Sequence, residues 1–122
     1  MDFKINDEQK HLVETLDEVG RKELAPRAAR WDANHEYPWE NVHRLRELGI
    51  LGMTVPSEYG GPERPLIDAV LAVETTAKYC GVTSRIIVET NMGALGCVMA
   101  YGTELQWQAD SSPGPEASHV FC

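Results

Sequence analysis

Apolar residues return every three or four positions over most of this chain, the period of helices. Leu12, Val13, Leu16, Val19 and Leu24 draw one apolar stripe along a first helix. Asn6, with Gln9 three residues on, has the spacing of a capping box at its start. Asp7 and Glu8 sit in the first turn and Arg21 and Lys22 near the last, where the helix dipole favours them. Pro26 suits the first turn of a short second helix ending near Asn34. Pro38 opens a third, with Trp39, Val42 and Leu45 expected inward and Glu40 paired to Arg44 one turn on. Gly49 is placed as the left-handed residue after that helix, with Ile50 folding back on Leu45.

Residues 51–56 are apolar, too short for a helix and closed by a proline, so an extended segment is expected. Residues 57–65 have the composition of a turn region. A fourth helix is predicted over 66–79, with Leu66, Val70, Val73 and Ala77 on one face and Ile67 and Leu71 beside it. Gly81 separates it from the most apolar stretch, 82–102, predicted as a fifth helix buried on all sides. Its small residues Gly93, Gly96, Cys97 and Ala100 fit the close approach of another backbone or a ligand. Arg85 and Glu89 interrupt the run, and a bilayer span needs about 18 apolar residues, so a membrane helix is not expected. Sequence-adjacent helices on short links pack antiparallel. The fold class expected is all-α, a helical bundle with a long loop between its third and fourth helices. From residue 107 onward the chain turns rich in proline and serine and reads as a disordered tail.

Composition narrows the function. A chain of 122 residues makes one domain. The net charge of -8 argues against nucleic acid or an anionic membrane, both of which demand basic patches. Cys80, Cys97 and Cys122 show no C-x-x-C spacing, and the N-terminus carries no signal or transit pattern, so a cytoplasmic location is expected. His11, His35, His43 and His119 have no partners at metal-ligand spacing. No serine stands in a nucleophile-elbow context. The Gly60-Gly61 pair lacks the strand and helix of a phosphate cradle and reads as a turn. Glu89 alone invites attention, as a carboxylate on a helix otherwise apolar on that side. Two readings stand: a surface pair with Arg85, or a carboxylate facing a cavity.

Several short segments resemble, in order and spacing, the N-terminal helical domain of the flavin-dependent acyl-CoA dehydrogenases. They are Phe3 with Glu8-Gln9, Glu23-Leu24-Ala25-Pro26, Asp32 and Pro38, and Leu45 with Glu47-Leu48-Gly49-Ile50-Leu51-Gly52. Pro56-Ser57-Glu58-Tyr59-Gly60-Gly61, Glu74 and Tyr101-Gly102-Thr103-Glu104 with Gln106 complete them. The resemblance covers about residues 3–106, so 1–106 is expected to be the domain and 107–122 a tail outside it. It implies that helical domains clasp a middle β-domain, with FAD and an acyl-CoA thioester between them. The implied reaction removes an α proton to a carboxylate base and sends a hydride from the β carbon to the flavin. The fifth helix would form one wall of the acyl pocket. The positions facing the acyl group would be Ile86, Glu89, Thr90 and Gly93, whose spacing puts them on one helical face. Under this resemblance the cavity reading of Glu89 gains over the surface pair, and Gly93 would leave room for an acyl chain.

Residues 36–42 and 84–88, with Asn91, Gly93 and Ala94, are similar to a branch that includes 3-sulfinopropionyl-CoA desulfinases, which release sulfite. An arginine there would suit an anionic acyl end. No catalytic, cofactor-binding or metal-ligating residue is expected in this chain. The composition change at Trp107 suggests a truncated or frame-shifted product, inactive alone and binding no FAD by itself. A non-catalytic module that self-associates through exposed helix faces is the alternative expectation.

Overall fold

A computed structural model describes residues 4–111, with side chains followed as far as Trp107. Phe3 and the stretch 112–122, with His119, Cys122 and most of the expected tail, lie outside the described residues. Every regular element among the described residues is helical.

The capping box forms. Gln9 N–H donates to Asn6 Oδ1 at 2.8 Å and Asn6 N–H to Gln9 Oε1 at 3.0 Å, opening α1 (Asp7–Val19). Contrary to the dipole pattern, the helical backbone does not end near Lys22. It runs through a π turn (Gly20–Leu24) into α2 (Ala25–Asn34). Pro26 supplies the reason: it has no N–H to donate, and its ring would meet the carbonyl of Lys22 in a regular α-helix. The wider turn, closed by Ala25 N–H on Gly20 O, accommodates it. α2 stops at His35, whose φ of 53° is left-handed.

Helix α3 (Trp39–Glu47) ends as expected. Ile50 N–H bonds Leu45 O at 3.0 Å and Gly49 N–H bonds Arg46 O at 2.9 Å, the pair of bonds of a Schellman cap. Val42 and Leu45 are buried, but Trp39 is 43% exposed and in ring contact with Tyr37 and His43. The expected Glu40–Arg44 pair is not made. Glu40 instead meets two cations of α2, Arg27 and Arg30, while Arg44 meets Glu23 and Glu47. The hydrogen bond from Arg30 holds the Glu40 carboxyl below its usual range. Residues 51–56 are turns rather than an extended segment. Gly52, at φ 70°, reverses the chain so that both Met53 and Val55 reach the core. A 3-10 turn (Ser57–Tyr59) and Gly60 at φ 79° follow.

Helix α4 (Leu66–Ala77) lies against α1 and α5 (Gly81–Asn91). Its inward face is not the one the bulkier apolar residues suggest, although Val73 does pack against the core. Ala69, Ala72, Thr75 and Thr76 are buried, whereas Leu66, Ile67, Val70 and Ala77 are exposed. Small side chains bring helix backbones close. The two threonine hydroxyls are satisfied within the helix, on Leu71 O and Ala72 O. Asp68 is buried with its charge compensated, accepting from Arg64 Nε at 2.8 Å and from Gln9 Nε2 of α1 at 2.9 Å.

The predicted long fifth helix is two helices. α5 ends at Asn91, and α6 (Ala94–Tyr101) starts beyond a break at Met92 and Gly93. Nor is the stretch buried all round: Val82 and Cys97 are exposed and Tyr101 is 89% exposed. A Cβ at Gly96 would meet nothing within 4 Å among the described residues, so none of their backbone approaches there. α7 (Glu104–Ser111) runs straight across position 107, and the Trp107 ring lies edge-on to Tyr59 at 5.0 Å.

The main core gathers Leu12, Leu16, Leu45, Ile50, Met53, Ala69, Ala72 and Ile87. A second cluster of Val19, Leu24 and Cys80 includes Tyr79, whose hydroxyl donates to Asp17 Oδ1 at 2.7 Å. That hydrogen bond and then burial raise the Tyr79 pKa. A raised folded-state pKa adds stability that is complete below the unfolded value, about 10, and is lost as pH rises through the folded one. Urea midpoints should therefore fall more steeply above about pH 10 in the wild type than in Tyr79→Phe. Parallel curves for the two chains would exclude the linkage.

Candidate functional site

The positions singled out on the apolar stretch gather at the C-terminal half of α5 and the break beyond it, where the structure sorts them into two pairs. Ile86 and Thr90 are buried, and Thr90 Oγ1 donates to Ile86 O at 3.0 Å. Such a hydroxyl is satisfied by its own helix. Glu89 and Gly93 lie at the margin, half-buried. Glu89 Oε1 pairs with Arg85, and Glu89 Oε2 accepts Ala94 N–H at 3.2 Å. The Arg85 side chain is 73% exposed and that of Glu89 33%. A Cβ at Gly93 would sit 2.3 Å from Glu89 Oε2, so the carboxylate occupies the room this glycine leaves.

Asn91 was not among the positions singled out, yet it fastens this region. Its Nδ2 donates to Ile50 O and Ile87 O, each at 3.0 Å, and Thr54 Oγ1 donates to the Asn91 carbonyl at 2.7 Å. The available signal was the Asn-Met-Gly sequence closing a helical run, since Asn and Gly favour turns. A second buried link joins α3 to α5. Asn41 Nδ2 donates to Thr83 Oγ1 at 2.9 Å, and that hydroxyl donates to Cys80 Sγ at 3.1 Å. Both links hold α5 rigidly while leaving its Arg85 edge open to solvent. Beside the Trp107 ring, burial and then Glu58 and Glu104 push the Tyr59 hydroxyl pKa up.

Among the described residues no three His, Cys, Asp or Glu side chains stand together as a metal site. No helix there is long and apolar enough to cross a membrane. Gly60 and Gly61 form a closed turn: a Cβ at Gly61 would lie 2.2 Å from Val55 O, so its open side faces the chain itself. These residues do not fit a flavin phosphate cradle on their own.

The acyl-CoA dehydrogenase N-terminal domain model matches residues 6–109. The 3-sulfinopropanoyl-CoA desulfinase of Paraburkholderia xenovorans is 42% identical over 106 residues, covering 87% of this chain and 27% of that protein. The short-chain-specific acyl-CoA dehydrogenase of Clostridium acetobutylicum is 32% identical over 108 residues, covering 88% of this chain and 28% of that protein. The butyryl-CoA dehydrogenase structure from Megasphaera elsdenii superposes with a TM-score of 0.80 at 29% identity, covering 93% of this chain and 30% of that one. Fold and likeness together define an all-α N-terminal domain. The chain belongs to the acyl-CoA dehydrogenase family, and it spans little more than a quarter of the length of the curated relatives it matches.

Proposed function

We propose that this chain is the N-terminal, acyl-pocket-forming part of an FAD-dependent enzyme acting on acyl-CoA thioesters in the cytoplasm. The observation that carries the reading is the match over residues 6–109, joined to a helix α5 held rigidly from behind. Ile86, Glu89, Thr90 and Gly93 would line the acyl wall, with FAD and the catalytic base contributed by the rest of the parent enzyme. In that role the chain positions substrate and excludes water; the chemistry of oxidation is the flavin's.

The relatives favour a finer version, an acyl group with an anionic end. The desulfinase shares 42% of its matched residues with this chain against 32% for the dehydrogenase. Arg85, with a largely exposed guanidinium on α5, is the cation that would meet such an end. A chimera tests both levels: residues 6–109 of this chain replace their counterpart in the Paraburkholderia desulfinase. The expected product retains FAD and releases sulfite from 3-sulfinopropanoyl-CoA. A chimera that retains FAD without releasing sulfite overturns the anionic-end version. One that loses FAD overturns the domain reading.

A second reading, self-association, rests on Leu66, Ile67 and Val70 of α4 and Val82 of α5, all exposed. A homo-oligomer would cover them.

A further inference from the structure

Two unrelated features meet at the break between α5 and α6. The first amide of α6, on Ala94, has no partner within its own helix, as at any helix start. It donates instead to Glu89 Oε2 at 3.2 Å, five residues back across the break. The other oxygen of the same carboxylate pairs with Arg85, one turn earlier on α5. Gly93 makes this possible, because any side chain there would begin 2.3 Å from Glu89 Oε2.

We propose that Glu89 is a positioning residue: one carboxylate latches the start of α6 and holds the Arg85 guanidinium against the broken turn. Gly93 is small to admit that carboxylate. Arg85 is exposed and long, and an unpaired arginine samples many rotamers. Pairing with a half-buried carboxylate that is itself tied to backbone narrows that choice. Any role of Arg85 towards an acyl end rests on the function proposed above; the latch does not.

The latch is tested on this chain itself, with no flavin or turnover, so its failure and that of the proposed function are separate results. NMR would follow two probes, the Ala94 amide proton and the Arg85 Nε–H, in four chains: wild type, Glu89→Gln, Glu89→Ala and Gly93→Ala. Glu89→Gln retains an oxygen acceptor but no charge. It should leave the Ala94 shift near the wild-type value while Arg85 Nε–H exchange rises about two- to fivefold, the range for an exposed ion pair. Glu89→Ala should change both probes. Gly93→Ala, by expelling the carboxylate, should reproduce Glu89→Ala. An Ala94 shift unmoved by Glu89→Ala, or Arg85 exchange equal in all four chains, would overturn the proposal.

Discussion

Asn91→Ala should be among the most damaging single changes in this chain, at about 2–4 kcal/mol of unfolding free energy. Asn91 is buried, and its amide nitrogen satisfies the carbonyls of Ile50 and Ile87 together, each at 3.0 Å. Ile87 O belongs to the same helix; Ile50 O lies in the loop after α3 and loses a donor outright. Thr54 adds the reciprocal bond to the Asn91 carbonyl at 2.7 Å, which the alanine would keep. The loss therefore falls chiefly on a buried acceptor stripped of its donor, the more expensive half of a hydrogen bond, and the longer bond from Thr54 N–H to Asn91 Oδ1 at 3.4 Å goes with it. Asn91→Asp distinguishes this from a simple cavity, since it conserves volume yet turns an oxygen towards two carbonyls. It should be at least as destabilising as the alanine. Urea unfolding at unchanged m-value is the measurement, and a loss below about 1 kcal/mol for either variant would sink the account.

Gly20→Ala should also destabilise, although alanine is the better helix former by about 1 kcal/mol. The new Cβ would stand 2.1 Å from Tyr79 Cδ2 and 2.8 Å from Cγ, against the body of the ring rather than a flexible tip. The Tyr79 ring must move, and its 2.7 Å hydrogen bond to Asp17 goes with it. Overpacking of this kind costs about 1–3 kcal/mol net. The prediction separates from propensity through a double-mutant cycle with Tyr79→Ala. If the ring is the obstacle, the double variant is clearly more stable than the sum of the two single losses implies. Additive losses would mean that Gly20 is needed for the π turn itself.

These two positions show where reading residues in order stopped short. The capping box of Asn6 and Gln9 and the Schellman cap at Gly49 and Ile50 were legible because each closes within six residues. Helix α4 was legible as a helix, but its inward face was not. Leu66, Ile67 and Val70 outrank Ala69 and Ala72 on any hydrophobic scale, yet they are exposed, because close backbone packing selects small residues. Glu40 passed over Arg44 for Arg27 and Arg30, a choice made by the approach of α2. The candidate site was legible as a set of positions, Ile86, Glu89, Thr90 and Gly93, but not as contacts. A straight helix would have put all four on one face, whereas the break joins Glu89 to Ala94 and to the space at Gly93.

By itself the sequence determined the helical class, the caps at Asn6 and at Gly49 and Ile50, and the family, since these rest on periodicity, caps and short motifs whose physics is local. Tertiary structure alone decided which faces are inward, that the apolar stretch is broken, and which partner each charge takes. Those outcomes depend on distances between elements far apart in the chain: the threading of Asn91 to Ile50, of Tyr79 to Gly20, and of Asp68 to Gln9.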